Sequence, residues 1–170
     1  MAVDIHRVST PESSEPAKVF IVAGEHSGDM LGGKLMQALN QLHDGKIQFA
    51  GVGGAAMEAQ GLNSLFPLSD IAVMGVVEIA KRLPVLVRRV YKTVGAAHLF
   101  VPDIIVIIDS PEFTHPIARR IRKHAPQIPI LNYAPPTVWA WRPGRAAKMR
   151  SYIDHVMNLL PFESAAFKRL

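Results

Sequence analysis

One carboxylate lies where an α/β enzyme would hold a catalytic acid or base. Asp109 follows the apolar run IIVII at residues 104–108, and ligands of parallel sheets bind outside the carboxyl ends of the strands. A carboxylate that is partly desolvated there can accept a proton from a substrate hydroxyl. Capping of the next helix by Asp109 or Ser110 is an equally good interpretation of the spacing. Glu112 and His115 either assist such a base or face solvent.

A second set of polar side chains follows the first apolar run, in the loop AGEHSGD at residues 23–29. Gly24 and Gly28 let the backbone turn tightly. The amide groups at the start of the next helix face outward and can bind a polar or anionic ligand. For Asp29 the pattern favours N-capping of a helix that begins near Met30 over contact with a ligand. The other polar residues of this loop are Glu25, His26 and Ser27.

Two glycine-containing segments partly match phosphate-binding motifs. Gly28, Gly33 and Lys34 fit part of a P-loop. However, Leu35 stands where that motif needs a hydroxyl for magnesium. The segment GVGGAA at residues 51–56 follows an apolar run and fits part of the dinucleotide-binding fingerprint. The helix behind it is short for a Rossmann crossover, so we predict a tight strand-to-helix turn there. A dinucleotide-dependent oxidoreductase domain stays open as the alternative.

Apolar runs bounded by turn residues alternate with helical patterns along the chain. The runs predict strands at residues 18–23, 47–52, 103–109, 128–134 and 155–160. The helical patterns cover residues 30–42, a short stretch before Gly61, 75–99 and 114–124. This alternation is typical of a doubly wound α/β fold with a mainly parallel sheet. The polar residues 1–17 predict a flexible tail.

The composition is that of one ordinary globular domain. The chain has 170 residues, of which 49% are hydrophobic, and it contains no cysteine, which excludes thiol catalysis and cysteine-ligated zinc. A net charge of +5 admits phosphorylated ligands, polyanions and anionic membranes as partners. No apolar run approaches the ~18 residues of a membrane-spanning helix, and the N-terminal residues lack the apolar core of a signal peptide. We therefore expect a cytoplasmic protein.

The segment 75–99 combines a stripe of apolar residues with flanking lysines and arginines. This pattern is typical of a basic amphipathic helix that docks on a membrane surface, although packing of the stripe on a core is the commoner arrangement. Pro84 predicts a break or a fresh start within the segment. If the segment docks on lipid, the membrane-facing side chains are those of Val77, Ile79, Leu83, Leu86 and Val87.

Both tryptophans lie in the segment APPTVWAWRPGR at residues 134–145, beside several arginines. Aromatic faces stack on sugars and bases, and arginine forks bind phosphate. The segment therefore allows a phosphate- or nucleic-acid-binding module as a further alternative. Burial of one tryptophan in the core explains the pattern as well.

These loops together, in this order, resemble the N-terminal half of the lipid-A-disaccharide synthase family. The segments that carry the resemblance span nearly all of residues 18–163 and are VAGEHSGDMLGGKL, FAGVGGAAMEAQGL, LSDIAVMGVVEI, PDIIVIIDSPEF, PTVWAWRPGR and LPFE. The resemblance implies the Rossmann-like N-terminal domain of a GT-B glycosyltransferase over residues 18–170. It also implies a C-terminal, donor-binding domain that is absent from this chain.

The activity implied by the resemblance is that of an inverting glycosyltransferase that needs no metal and no cofactor. Such an enzyme transfers 2,3-diacylglucosamine from its UDP donor to 2,3-diacylglucosamine 1-phosphate in lipid A biosynthesis. The implied partners are these two substrates and the anionic inner membrane of a Gram-negative cell, with peripheral association and no nucleic acid. The resemblance further implies that this chain is part of a longer enzyme, inactive by itself and able to self-associate through the face that meets the second domain.

The resemblance also implies roles for individual residues. Asp109 matches the family's essential aspartate, a candidate general base for the 6-hydroxyl of the acceptor. His26 and Glu112 differ from the residues usual in the family, so neither is given an essential role. The implied substrate-binding residues are Glu25, Ser27, Gly28, Asp29, Met74, Trp139 and Arg142.

Overall fold

The computed structural model describes residues 15–71, 76–135 and 148–159, and for residues 76–82 the backbone alone. This part of the chain forms strands β1 (Ala17–Ala23), β2 (Ile47–Val52), β3 (Ile104–Ile108), β4 (Ile130–Tyr133) and β5 (His155–Met157). Its α-helices are α1 (His26–Leu42), α2 (Ala55–Glu58), α3 (Val76–Phe100) and α4 (Pro111–His124). None of these helices is long and apolar enough to cross a membrane.

The strands form one sheet in the order β2-β1-β3-β4-β5, and every pair within it is parallel. Side chains of β3 alternate between the two faces of this sheet. Ile105 and Ile107 pack with α3 and α4, whereas Val106 and Ile108 pack with α1 and α2. Because β3 is covered on both faces, its sequence is a continuous apolar run. The predicted doubly wound, parallel α/β fold is confirmed.

Three helix predictions need correction. α1 begins at His26 rather than near Met30. α4 begins at Pro111 rather than near residue 114, because the fixed φ of proline suits the first helical position. α3 runs through Pro84 without the predicted break. A proline removes a backbone hydrogen bond from a helix interior, and the buried packing of Val90 and its neighbours keeps the second half of α3 on the sheet.

The connections on either side of the β1–β3 pair diverge. From β1 the chain passes through α1 to β2 on one side, and from β3 it passes through α4 to β4 on the other side. Ala23 and Ile108 are register partners at the carboxyl ends of these two strands. Doubly wound sheets bind ligands in the crevice at such a point. The fold therefore brings the loop after β1 and the loop after β3 to one crevice.

Candidate active site at the β1–β3 crevice

Asp109 lies directly after β3, in a turn that holds two successive residues in the left-handed region. The φ angles are 50° at Asp109 and 44° at Ser110, which is uncommon for residues other than glycine and is concentrated at functional sites. The buried Thr114 hydroxyl lies 2.8 Å from the carbonyl oxygen of Asp109 and 3.1 Å from that of Ser110, and its single hydrogen is shared between these two acceptors. Ser110 occupies the N-cap of α4, but its side chain makes no capping hydrogen bond. The Asp109 carboxylate instead accepts the Ser110 amide at 2.8 Å.

Gly24 allows the two loops to meet. A Cβ atom at this position would lie 2.3 Å from the Cβ of Ser110 and 2.5 Å from its Oγ. Any side chain there would force the loop after β1 away from the turn at Asp109. Gly24 therefore brings Glu25 and Ser27 within reach of the Asp109 carboxylate.

Glu25, Ser27 and Asp109 form one hydrogen-bonded cluster at the mouth of the crevice. The Ser27 Oγ lies 2.5 Å from Glu25 Oε1 and 3.2 Å from Asp109 Oδ2, but its single hydrogen can be donated to only one of these oxygens at a time. The Ser27 hydrogen bond lowers the pKa of Glu25. The hydrogen bond with Asp109, partial burial and the charges of Asp109 and Glu112 outweigh it, so the net pKa is raised above the usual 4.5. Two neighbouring carboxyl groups that share a proton show this behaviour.

Asp29 has a different role from the predicted capping of α1. Its side chain is only 5% exposed, and its carboxylate accepts the backbone amides of Gly54 at 2.7 Å, Ala56 at 3.0 Å and Met57 at 3.1 Å. These amides lie at the start of α2. Asp29 reaches them because α1 starts earlier than predicted, so that Asp29 lies in its first turn and faces the GVGGAA segment. Asp29 thus N-caps the neighbouring helix. It also fills the anion position that a dinucleotide phosphate would need at these amides, so the dinucleotide alternative loses its support.

The structure places the other loop candidates around the cluster. Gly28 is buried beneath it, where an added Cβ would lie 3.4 Å from the Ile108 carbonyl oxygen. His26 and Glu112 are exposed. His115 is buried, and its Nδ1 lies 3.0 Å from the Tyr152 hydroxyl. Because its ring is engaged with Tyr152, we assign it no part in proton transfer at Asp109.

Some of the predicted site residues fall in the parts of the chain that the structure does not describe. Met74, Trp139 and Arg142 lie outside the described residues, and the side chains of Val77 and Ile79 on α3 are likewise not described. Among the other predicted membrane-facing residues, Leu83 is 52% exposed and Val87 is 44% exposed. Leu86 is partly buried and packs against the core. The expectation that Leu86 faces lipid is therefore not supported, because its position on the helix turns it towards the sheet.

Sequence reasoning missed Thr114, which holds the turn at Asp109. A hydrogen bond from a threonine hydroxyl to the carbonyl oxygen four residues earlier, here that of Ser110, is common within helices. This preference could have identified Thr114 from the sequence, but only if α4 had been predicted to begin before residue 114. In the described ranges, no group of three or more His, Cys, Asp or Glu side chains is arranged to hold a metal ion.

The parallel, doubly wound sheet is that of a Rossmann-like α/β domain. The carboxyl cluster lies at the carboxyl ends of β1 and β3, where the connections diverge. The structure is similar to UDP-GlcNAc 2-epimerase from Neisseria meningitidis, with a TM-score of 0.60 and 12% sequence identity. The similarity covers 89% of this chain and 42% of the epimerase chain. At this identity the likeness shows the fold, which is that of part of a GT-B protein.

Sequence comparison is more specific. The lipid-A-disaccharide synthetase family profile matches residues 19–170. A lipid-A-disaccharide synthase of Rhodopseudomonas palustris is 51% identical over 153 residues, which is 90% of this chain and 39% of the relative. The same enzyme of Ruegeria pomeroyi is 49% identical over 152 residues, or 89% of this chain and 37% of the relative. The chain belongs to the lipid-A-disaccharide synthase family, and it spans about 40% of the length of the curated relatives it matches.

Proposed function

We propose that this chain supplies the acceptor-side half of a lipid-A-disaccharide synthase, with Asp109 as the general base. The substrates would be UDP-2,3-diacylglucosamine and 2,3-diacylglucosamine 1-phosphate. The observation that carries the proposal is the Asp109 carboxylate at the end of β3, beside Glu25 and Ser27 from the loop after β1. The family membership supplies the reaction.

The proposed reaction is a displacement at the anomeric carbon of the donor sugar. The acceptor's 6-oxygen forms a bond to that carbon as the bond to UDP breaks, and UDP leaves with the electron pair. Asp109 accepts the proton of the 6-hydroxyl as the oxygen attacks. A positioned base of this kind contributes about 10²- to 10⁴-fold in rate.

Glu25 and Ser27 would keep Asp109 competent as a base. The Ser27 hydroxyl lies between the Glu25 and Asp109 carboxyl groups and would restrain the base in one position. The left-handed turn and the Thr114 hydroxyl hold the carboxylate in place before substrate arrives. Such preorganisation matters because the reacting atoms must be aligned within a narrow geometry.

Gly28 and Asp29 would act by positioning rather than by contact with substrate. Gly28 lets α1 start close to the sheet, and Asp29 fixes the start of α2. For Met74, Trp139 and Arg142 the proposed substrate-binding role rests on the family resemblance.

The membrane contact proposed for this chain lies on α3. Leu83 and Val87 are exposed apolar side chains, and Arg88 lies beside them on an exposed part of the helix. Exposed apolar residues flanked by cations are typical of helices that lie on an anionic membrane surface. The acyl chains of the proposed substrates lie in the bilayer, so the enzyme must reach them from the membrane surface. We therefore propose peripheral association with the inner membrane on its cytoplasmic side.

The test uses a chimera of residues 1–170 and the C-terminal part of the Rhodopseudomonas palustris relative. UDP release is measured with both substrates. We expect Asp109→Asn to lower turnover by about 10²- to 10⁴-fold without lowering the melting temperature. Asp103→Asn, at the opposite end of β3, is the matched control and should leave turnover within twofold of the parent. Near-normal turnover of Asp109→Asn with a lowered melting temperature would show that Asp109 serves only the turn.

A further inference from the structure

A basic cavity lies on the same side of the sheet as α3 and α4, away from the acidic cluster. It has a volume of about 490 Å³ and opens between α4 and residues 148–152. The described residues that line it are Arg119, Arg122, Lys123, Lys148, Ser151 and Tyr152. Arg119 is eight residues into α4, roughly 12 Å along the helix from the turn at Asp109. The cavity is therefore separate from the proposed active site.

The positive charge of this cavity is only partly neutralised. Arg122 forms an ion pair with Asp154. Arg119, Lys123 and Lys148 have no carboxylate within ion-pair distance in the part of the chain that the structure describes. Several cations that converge on one concave surface repel one another and raise the local concentration of anions. An anion in the cavity would relieve this repulsion.

A buried network positions the wall of the cavity. Tyr152 is 4% exposed, and the Arg119 guanidinium lies over its ring at 4.9 Å. The Tyr152 hydroxyl is 3.0 Å from His115 Nδ1 and 3.4 Å from an Arg119 nitrogen. His115 Nε2 lies 3.4 Å from the amide nitrogen of Asn132. This chain of contacts restrains the ring and, through it, the guanidinium.

The same network sets the direction of its hydrogen bonds. The Asn132 amide nitrogen is a donor, so His115 Nε2 accepts and His115 Nδ1 carries the ring hydrogen. The Tyr152 oxygen then accepts from both His115 and Arg119. Neither of these two contacts uses the hydrogen of the Tyr152 hydroxyl. The Ser151 hydroxyl donates to the Lys148 carbonyl oxygen at 2.9 Å. The cavity thus combines its cations with the restrained Tyr152 side chain.

We propose that this cavity binds a phosphate group, as a monoester or a diester. Arginine forks and lysine ammonium groups are the common side-chain ligands of phosphate, and three such cations of the cavity lack an ion-pair partner among the described residues. The volume lies in the range of small-ligand sites, which is enough for a phosphate with a glycerol-sized substituent. The cavity lies away from Asp109, so phosphate binding here does not depend on the proposed role of that residue.

The test titrates the full 170-residue chain with inorganic phosphate and with sn-glycerol 3-phosphate by calorimetry. The variant is Arg119→Gln/Lys123→Gln. The control is Lys34→Gln/Lys46→Gln, which removes the same charge from exposed positions outside the cavity. We expect the cavity variant to weaken binding at least tenfold and the control to stay within twofold of the parent. Tyr152→Phe keeps the ring and removes the hydroxyl, and it should weaken binding a few-fold.

Vesicles distinguish a lipid phosphate from a soluble one. The same proteins are co-sedimented with phosphatidylglycerol vesicles and with phosphatidylcholine vesicles. Loss of phosphatidylglycerol binding in the cavity variant alone, without binding of soluble phosphate by the parent, assigns the site to a lipid headgroup. Binding of glycerol phosphate that the cavity variant alone loses assigns it to a soluble ester.

Equal effects of the cavity variant and the control in both assays would overturn the proposal, as would failure of the parent chain to bind in either. If the double variant does not fold, Lys148→Gln replaces it, because Lys148 is exposed. Lys148→Gln should then weaken the same binding by a smaller factor than the double variant.

Discussion

The proton shared by Glu25 and Asp109 predicts a pH-dependent effect on stability. The pKa of Glu25 is raised in the folded chain, so the folded state holds this proton more tightly than the unfolded state does. Its contribution to stability is present below about pH 4.5 and is lost as the pH rises through the raised pKa. Above that pKa the ionised Glu25 carboxylate is repelled by the charges of Asp109 and Glu112.

Glu25→Gln removes this repulsion. We expect its free energy of unfolding, relative to the parent, to increase between pH 4.5 and pH 8. The gain should be less than about 1 kcal/mol because the Glu25 side chain is exposed to solvent. Urea unfolding across this pH range measures it, with exposed Glu15→Gln as the control. A difference between variant and parent that does not change with pH would contradict the shared proton.

Asp29→Asn tests the cap on α2. The substitution preserves shape but replaces one acceptor oxygen by an amide group, which faces the backbone donors of Gly54, Ala56 and Met57. Lost charge-assisted hydrogen bonds and unpaired buried donors should together cost about 2–3 kcal/mol of unfolding free energy. Asp44→Asn, at an exposed turn where asparagine is well tolerated, should change it by less than about 0.5 kcal/mol. Chemical denaturation of both variants gives the comparison.

At the residue scale, sequence patterns predict the position of a reactive side chain better than they predict its hydrogen-bond partners. The apolar run before Asp109 was enough to place its carboxylate at the end of a strand. The partners of Asp29 are 25 to 28 residues away in the chain, and the contact depends on the start of α1. A helix start misplaced by a few residues turns a side chain to another face, so capping of α2 was not predictable from spacing.

Thr114→Val tests how the turn between β3 and α4 is held. The substitution keeps the shape of the side chain and removes the hydrogen bonds to the carbonyl oxygens of Asp109 and Ser110. We expect a loss of about 1–2 kcal/mol in unfolding free energy and a fall in turnover of the chimera of about tenfold or more, because the base is displaced.

Thr93→Val is the matched control for this turn. Thr93 is also fully buried, and its hydroxyl also donates to the carbonyl four residues earlier, that of Arg89 in α3. It should lose similar stability and keep turnover within twofold of the parent. Equal losses of turnover in the two variants would show that Thr114 has no special link to the base.

The exposed apolar side chains of α3 predict reduced membrane binding when they are made polar. Leu83→Ser/Val87→Ser should weaken binding to phosphatidylglycerol vesicles, measured by co-sedimentation, by about 30-fold, because two partly exposed apolar groups contribute roughly 1 kcal/mol each. Leu99→Ser/Val101→Ser changes exposed apolar residues at the other end of α3 and should have little effect. Similar losses in both variants would indicate nonspecific adhesion.

At the element scale, periodicity determined which segments are helices but not where each begins. The apolar stripe of residues 75–99 predicted α3 within one residue at each end. Pro84 suggested a break because local sequence carries no information about the core that packs on Val90, Val94 and Ala97. Tertiary packing outweighed the local cost of one lost hydrogen bond.

At the scale of the whole molecule, we expect residues 1–170 alone to show no turnover. Catalysis needs donor and acceptor in one geometry, and that positioning is worth about 7–11 kcal/mol, far more than one base contributes. UDP release by the purified chain, with both lipid substrates present, should equal the background rate. Turnover within tenfold of the chimera would contradict the proposal that the donor is bound by a part of the enzyme outside residues 1–170.

The overall architecture was the part most accessible to sequence analysis. Apolar runs predicted all five strands in their order along the chain. Burial on both faces explains the run of β3, whereas the residues of the edge strand β5 are exposed or half-buried. The basic cavity left no comparable signal. Its cations come from α4 and from residues 148–152, and only the packing of Tyr152 beneath Arg119 brings them together.

The position of β1 as an inner strand of the sheet also bears on synthesis by the ribosome. β1 pairs with β3 in the finished sheet, and Lys18 and Asp103 at the start of that pair are 85 residues apart in sequence. A nascent chain that has not yet reached Ile104 leaves one edge of β1 open and Phe20 without its full cover. Open strand edges and exposed apolar surface invite association with other chains. We therefore expect ribosome-bound chains of this length to be held by chaperones and released once β3 has emerged.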